Sequence, residues 1–199
     1  MNDKICYIGI DPSINSTGIY IKIQKDQKII KEYFGVVVPY GSITKKEQKI
    51  NINNFERIEY SKIDTGKSKK ISTTQFELDK TKNLIQIVEC IESFIKSHIK
   101  SIKEINIGME GLSYGSINKS VSLLELSGLN YLIRNMILMN NWNLIIYPPK
   151  EVKKFASGNG NAQKEILMNS FIIMHPEYEQ LKKIDDITDA YYICERICN

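Results

Sequence analysis

The sequence predicts an α/β fold in which a mixed five-stranded sheet carries helices on both faces. Three apolar segments joined by short links open the chain, which favours an antiparallel meander. Predicted strands and helices alternate after this meander, as in sheets covered on both sides. The 199 residues, 42% hydrophobic and 25% charged, suit a globular protein with a sizeable core. We therefore predict the element order βββαβαβαα in a single domain spanning residues 1–199.

The predicted strands are short apolar runs that stop at turn residues or prolines. The first run ends at Asp11-Pro12, and in the second run isoleucines alternate with polar residues, which is typical of a strand with unlike faces. The fourth alternates up to Glu110, and the fifth is broken by Pro148-Pro149. The five predicted strands cover residues 4–10, 19–24, 28–38, 105–110 and 142–147.

The predicted helices follow from apolar residues at helical spacing. Pro149 is suited to the first turn of a short helix, and Asn161 is suited to capping the helix after it. The predicted helices cover residues 84–98, 117–139, 149–157, 162–174 and 186–198.

Residues 39–75 are polar, with little periodicity, and are predicted to form a long insertion that has a little local structure of its own. Loops of this length are usually functional or disordered. Its lysines form either a solvated loop or a surface for a polyanion, and the sequence leaves both interpretations open. They are Lys45, Lys46, Lys49, Lys62, Lys67, Lys69 and Lys70.

Composition narrows the classes of function only moderately. The net charge of +4 is compatible with a polyanionic partner. No apolar run approaches the roughly 20 residues that span a bilayer, and the start of the chain lacks the pattern of a signal peptide. The four cysteines lack zinc-site spacing, so we expect reduced thiols and a cytoplasmic location, or the host-cell compartment of viral DNA replication.

Four carboxylates occur where predicted elements meet loops. Asp11 and Glu110 end strands, whereas Asp186 and Asp189 open the last helix on the face that carries its apolar residues. Burying unpaired carboxylates costs free energy, and a bound divalent cation would offset that cost. Two metal ions held by such a set can hydrolyse a phosphodiester. Taken singly, each residue has an ordinary alternative: a helix cap, an Asx turn or a surface charge at a strand end.

Two lysines precede the last pair of carboxylates. Lys164 is predicted in the first turn of its helix, where a cation opposes the helix dipole unless an anion accompanies it. Gly158 and Gly160, just before that helix, allow the backbone to approach a phosphate. Lys153, on the preceding helix, would extend the same basic surface. Ordinary surface lysines are the alternative.

Taken in order, these motifs resemble those of RuvC-type Holliday-junction resolvases, and a phage or viral member more than the bacterial housekeeping enzyme. The matching segments are Ile8-Gly9-Ile10-Asp11-Pro12-Ser13 with Thr17-Gly18, Ile107-Gly108-Met109-Glu110-Gly111, Pro148 to Lys154 with Gly158 to Lys164, and Asp186-Ile187-Thr188-Asp189-Ala190. The resemblance, with these segments in the expected order, covers about three-quarters of the chain.

The resemblance implies a ribonuclease-H-like fold and a homodimer that cuts four-way or otherwise branched DNA in recombination and repair. It also implies that Asp11, Glu110, Asp186 and Asp189 bind two Mg²⁺ ions, for which Mn²⁺ can substitute, with Lys164 as a further catalytic residue. Two active sites would then nick opposing strands.

Some features depart from the family pattern. Ser113 stands where the family places an aromatic residue near the junction centre, and Tyr114 is the candidate to replace it by stacking on a base. Asp185 competes with Asp186 as a metal ligand, although the Asp-x-x-Asp-Ala spacing favours Asp186. The insertion is also longer than the family would lead us to expect.

Two other functions fit part of the pattern. A non-catalytic protein that binds branched DNA would retain the lysines but have no need of four carboxylates. An actin-like or sugar-kinase-type ATPase fragment opens similarly, but it needs a second phosphate loop and an adenosine-binding glycine motif, and the sequence shows neither. The 117–139 helix, with Ser127-Gly128 permitting close approach, is either a dimer interface or a simple core helix.

Overall fold

The computed structural model describes residues 4–44, 47–65, 72–112, 121–182 and 184–199. Two 3-10 turns, Glu47–Lys49 and Pro176–Tyr178, accompany the regular elements. The strands are β1 (Ile5–Asp11), β2 (Thr17–Lys25), β3 (Lys28–Pro39), β4 (Phe55–Tyr60), β5 (Glu104–Glu110) and β6 (Asn143–Tyr147). The helices are α1 (Thr73–His98), α2 (Val121–Met139), α3 (Pro149–Ser157), α4 (Lys164–Met174) and α5 (Ile184–Cys198).

The strands form one mixed sheet in the order β4-β3-β2-β1-β5-β6. Strand β2 is antiparallel to β1 and β3, whereas β3–β4, β1–β5 and β5–β6 pair in parallel. The predicted meander and the mixed sheet are therefore confirmed. Because only β2 of the described strands runs in the opposite direction, the other five end at one side of the sheet, called here the carboxyl edge. The residues that end them are Asp11, Pro39, Tyr60, Glu110 and Tyr147.

The predicted count of five strands was one too low, because the insertion contributes β4. This strand pairs in parallel with β3, from Phe34 beside Phe55 to Pro39 beside Tyr60. Its six residues, Phe-Glu-Arg-Ile-Glu-Tyr, are half charged, as suits an edge strand, and Tyr60 alone among them is buried. A short and half-polar strand carries too little apolar alternation to be recognised without its partner.

Helices cover both faces of the sheet, as predicted. Helices α1 and α2 pack on one face, and α3, α4 and α5 pack on the other. Alternation along β1 and β2 directs the isoleucines to the α1 face and Tyr20 to the α5 face. No helix within the described ranges is long and apolar enough to cross a membrane. Buried residues on the α1 side include Ile8, Ile10, Ile19, Ile21 and Ile107, and those on the α5 side include Phe34, Phe171, Tyr178 and Ile187.

The starts of three described helices differ from the prediction, and residues 117–120, predicted to begin the second helix, lie outside the described residues. Helix α5 begins at Ile184, two residues before its predicted start. Helix α1 begins at Thr73, where the Ser72 hydroxyl accepts a hydrogen bond from the Gln75 N–H at 3.2 Å, but its first turns are mostly exposed and show no apolar period. Asn161 does not cap α4: the cap is Gln163, and the Asn161 N–H donates to Asn159 Oδ1 at 3.0 Å. The side chain of Asn159 thus stabilises a turn that delays the start of α4.

Helix α5 lies directly on the backbones of β1 and β2 at two glycines. A Cβ atom added to Gly9 would be 1.9 Å from the carbonyl oxygen of Ala190, and one added to Gly18 would be 2.0 Å from that of Asp186. Both obstacles are main-chain atoms, which cannot rotate away. Only glycine therefore permits this separation between the helix and the sheet.

We expect Gly9→Ala to destabilise the protein by about 3 kcal/mol, at the upper end of the usual range for overpacking, because the methyl group meets fixed backbone. Urea unfolding followed by circular dichroism measures the change. Gly128→Ala in α2 is the matched control: its new Cβ would be 3.4 Å from Leu84 Cδ1, an ordinary contact, so the change should stay within about 1 kcal/mol. Equal stability of Gly9→Ala and wild type would show that α5 is free to move outward.

Candidate functional site

Asp11 and Glu110 stand side by side at the carboxyl edge. Ile10 pairs with Met109 across the parallel strands β1 and β5, so the next residue of each strand is a carboxylate. Strand alternation places Asp11 on the same face as Gly9, which contacts α5. Both carboxylates thus end neighbouring strands on the side that α5 covers.

Helix α5 brings the other two predicted carboxylates to this position. The backbone of Asp186 lies against Gly18, and that of Ala190, which follows Asp189, lies against Gly9. Asp186 is only 8% exposed, and Asp189 is half-buried. A spacing of three residues puts both side chains on one face of the helix, and the packing turns that face toward Asp11.

The pKa of Asp11 records how closely the four groups interact. Burial is the largest cause that raises the pKa of this carboxyl well above its ordinary value. Repulsion from Asp189, then Glu110, then Asp186 raises it further, and the ammonium group of Lys164 only partly opposes them. The structure therefore brings all four predicted carboxylates into one electrostatic cluster, called here the carboxylate cluster.

Two other members of this cluster are also shifted. Burial, followed by repulsion from Asp189, raises the pKa of Glu110 to about 7, against attraction from Lys153 and Lys164. Burial also raises the pKa of Asp189, although the two lysines lower it, and the Asp185 charge adds to the increase. Negative charge at the cluster thus exceeds what these lysines neutralise.

Lys164 is a cation in direct contact with the carboxylate cluster. Its Nζ lies 3.0 Å from Asp189 Oδ2 and 3.2 Å from Asp185 Oδ2. Burial by itself would lower the pKa of Lys164, but attraction to these two aspartates outweighs burial and raises it. Lys164 is the first residue of α4, where a cation opposes the helix dipole, and the two carboxylates offset this disadvantage.

Asp185 and Asp186 face different partners. Asp186 is buried and acts on Asp11, whereas Asp185 is partly exposed and pairs with Lys164. The sequence identified Asp185 only as a competing metal ligand and missed this ion pair. No local signal could reveal the pair, since Lys164 comes from a different helix and meets Asp185 only when α4 packs on α5.

The glycines before α4 have structural roles. Gly158 ends α3 in the left-handed region, with φ of 77°, and its N–H donates to the Lys154 carbonyl at 2.8 Å. Gly160 packs on α3, where an added Cβ would be 2.9 Å from the Lys150 carbonyl oxygen. Both glycines are thus required by the turn between α3 and α4.

The remaining predicted site residues differ in what the structure shows of them. Lys153, on α3, lies near enough to Glu110 and Asp189 to affect their charge. Ser113 and Tyr114 lie outside the described residues.

The chemistry of the carboxylate cluster suits a hard divalent cation. Its donors are all carboxylate oxygens, which Mg²⁺ prefers, and burial with mutual repulsion disfavours their charged forms until more positive charge arrives. Within the described ranges, however, no three His, Cys, Asp or Glu side chains are close enough to hold a metal ion as they stand. The donor types fit such an ion, and their present separation does not yet enclose one.

Solved structures of two kinds of resolvase resemble this chain. Thermus thermophilus RuvC in complex with a Holliday junction substrate aligns over 96% of this chain and 90% of that chain, with a TM-score of 0.54 and 9% identity. The yeast mitochondrial Holliday junction resolvase Ydc2 aligns over 94% and 75%, with a TM-score of 0.50 and 14% identity. Another Thermus thermophilus RuvC structure aligns over 96% and 91%, with a TM-score of 0.48 and 12% identity.

The first two of these likenesses establish the fold. Neither a family model nor a curated protein sequence matches the chain. The mixed sheet with helices on both faces is the ribonuclease-H-like fold of the RuvC-type structures, so the predicted fold class is confirmed.

The pKa of Glu110 predicts how the stability of the metal-free protein depends on pH. A carboxyl whose pKa is higher when folded contributes stability below its unfolded value, here 4.5, and that contribution is lost as pH rises through about 7. Glu110→Gln removes this loss. At pH 8 the free energy of unfolding of the variant should therefore exceed that of wild type by up to about 3 kcal/mol, with little difference at pH 4.

Urea unfolding in EDTA across this pH range checks the prediction. Glu104→Gln is the matched control, because Glu104 begins the same strand at its exposed end and should show no such gain. If wild type and Glu110→Gln differ by a constant amount from pH 4 to pH 8, Glu110 does not carry the raised pKa.

Proposed function

We propose that this protein is a metal-dependent endodeoxyribonuclease that resolves Holliday junctions and other branched DNA. The observation that carries the proposal is the carboxylate cluster, with Lys164 in contact and Lys153 nearby. A cluster of buried carboxylates without enough cations destabilises the folded protein. Such clusters are typical of functional sites, where a bound cation offsets the repulsion. The likeness to RuvC bound to a junction substrate supports the choice of branched DNA.

The four carboxylates would hold Mg²⁺, with Mn²⁺ as a substitute. Two such ions would supply an activated water and stabilise the leaving oxygen of a phosphodiester. Since no three described donors yet surround one point, the side chains must turn toward each other when cations bind. Asp189 in particular must exchange its contact with Lys164 for a contact with a cation.

The lysines would act on the phosphate. Lys164 is held in its charged form by two aspartates, so it can stabilise negative charge that develops on the phosphoryl oxygens. Asp185 keeps Lys164 beside the site when Asp189 turns away, because it contacts the same Nζ. Lys153 would bind a neighbouring phosphate and position the strand.

Paired nicks in a four-way junction require two active sites, and α2 offers the surface for a homodimer. Leu129, Ile133 and Ile137 are buried against the core, whereas Leu124, Tyr131 and Leu138 are exposed at a spacing of seven residues, which places them on one outer face. An apolar outer face on a helix whose inner face is already packed supports pairing with a second copy.

We therefore expect a dimer at micromolar concentration by sedimentation velocity. The double variant Leu124→Glu/Leu138→Glu should raise the dissociation constant of the dimer at least tenfold, because each new glutamate would bury a charge at the interface. Ile173→Glu, on an exposed apolar side chain of α4, is the matched control and should leave the dimer intact. Wild type that sediments as a monomer would contradict the paired mechanism.

A cleavage panel tests the proposed activity. With Mg²⁺, we expect wild type to cut a synthetic four-way junction faster than three-way, flap and linear DNA, with symmetric nicks in opposing strands. In EDTA it should bind the junction without cutting it. Binding without cuts in Mg²⁺ or Mn²⁺ would instead favour the non-catalytic branched-DNA-binding alternative.

Asp11→Asn is the matching variant. Loss of a group that merely supports a metal ligand reduces activity 10- to 100-fold, so loss of a ligand should reduce cleavage by more than about a hundredfold, while junction affinity stays close to wild type. Asp26→Asn, in the β2–β3 turn far from the carboxyl edge, is the control. Equal loss of binding and cleavage in Asp11→Asn would assign Asp11 a structural role.

A further inference from the structure

We propose that Asn15, Tyr40 and Lys62 form a second DNA-contact surface, called here the β3–β4 surface, that binds the strand as it leaves the carboxylate cluster. This inference rests on the proposed function and assigns a substrate-binding role to the insertion at 39–75. It concerns the side of Asp11 toward β3 and β4, because these strands lie on one side of β1, whereas β5, which carries Glu110, and β6 lie on the other.

The topology brings the insertion to the same edge as the cluster. Strand β4 is parallel to β3 and runs in the direction of β1, so the segment after Tyr60 leaves at the carboxyl edge. Three strand intervals separate β4 from β1. At about 4.8 Å each, the ends of these strands lie about 14 Å apart, a distance that a bound DNA strand can span within a few nucleotides.

Lys62 is tied to the turn that follows Asp11. Its Nζ donates to Asn15 Oδ1 at 3.2 Å, and the Tyr60 hydroxyl donates to the Ile14 carbonyl at 3.1 Å. That turn is itself closed by Thr17, whose hydroxyl donates to the Ser13 carbonyl at 2.8 Å. The exposed ammonium group of Lys62 is thereby held over the loop nearest to Asp11.

A buried amide fixes the backbone beside Lys62. Asn83 of α1 is only 7% exposed; its Oδ1 accepts from the Ile63 N–H at 2.8 Å, and its Nδ2 donates to the Ile63 carbonyl at 2.9 Å. Asparagine is a weak helix former, and both ends of its amide are used on this one residue of the insertion. A lysine on a fixed backbone loses less entropy when it binds than one on a mobile loop.

Tyr40 adds an aromatic ring to the same edge. It occupies the turn Pro39–Ser42, in which Ser42 N–H donates to the Pro39 carbonyl at 3.1 Å and Gly41 has a φ of 76°. Its own N–H donates to the Tyr60 carbonyl at 2.8 Å, so the turn is joined to the end of β4. Tyr40 is 78% exposed, which leaves its ring available to stack on a base.

A DNA strand fits this combination. A lysine, an amide and an exposed aromatic ring match a phosphate, a sugar or base edge, and a base face respectively. A strand whose phosphate reaches Asp11 continues along the carboxyl edge, so a cation and a ring fixed there meet its flanking nucleotides. Lys62 is therefore placed to bind a phosphate that follows the one at Asp11 along the same DNA strand.

Junction binding in EDTA, titrated with salt, tests the proposal on the full chain. Lys62→Ala should reduce the slope of log affinity against log salt by about 0.9, the amount expected for one phosphate contact. Lys103→Ala is the matched control, because Lys103 is also exposed, just before β5 at the opposite side of the sheet, and should leave the slope unchanged. Tyr40→Ala should weaken binding about tenfold.

A second measurement locates the contact. Successive phosphates beside the cut are replaced singly by uncharged methylphosphonates. One of them should weaken binding of wild type and have no further effect on Lys62→Ala. If wild type binds and cuts the junction while both variants bind like wild type, the β3–β4 surface is refuted and the proposed function stands. If wild type neither binds nor cuts, both are refuted.

Discussion

The contact between the backbone of α5 and the backbones of β1 and β2 decides the arrangement of the carboxyl edge. Gly9 and Gly18 leave no side chain between α5 and the β1–β2 hairpin. The carbonyl groups of Asp186 and Ala190 therefore occupy the space that a Cβ atom at Gly18 or Gly9 would need. This separation fixes the height of α5 above the sheet, and its helical register then fixes which residues face Asp11. Without it, the carboxylates of the last helix would stand too far from those of the strands to act on one another.

Electrostatics follows from that packing. Four carboxylates gathered under one helix repel each other, and burial makes their charged forms still less favourable, as the raised pKa of Asp11 and of Glu110 shows. Lys164 reduces this repulsion by forming an ion pair with Asp189, and a second ion pair with Asp185 keeps Lys164 in place. One lysine does not neutralise the negative charge of this arrangement, so the site still attracts further positive charge. A divalent cation and a lysine would therefore compete for Asp189 and cooperate in binding phosphate.

The insertion is integrated with the fold rather than appended to it. Strand β4 pairs with β3 along its length, the Tyr60 hydroxyl reaches the turn after Asp11, and Asn83 of α1 holds the segment that follows. An added edge strand covers the otherwise open side of β3, and it delivers a lysine to the carboxyl edge in the same step. Stability of the sheet and placement of a charged side chain thus depend on the same few hydrogen bonds.

The sequence by itself determined the features that local pattern encodes. Apolar runs ending at Asp11 and Glu110, the helical spacing of Asp186 and Asp189, and the alternation of strands and helices are properties of neighbouring residues, so the fold class and the four clustered carboxylates could be predicted. Only the tertiary structure decided the features that depend on distant partners. Strand β4 is recognisable through its pairing with β3, the early start of α1 is largely exposed, and the Lys164–Asp185 pair joins two helices. Periodicity reports which face of an element is buried, but it carries no information on which polar side chains meet across the fold.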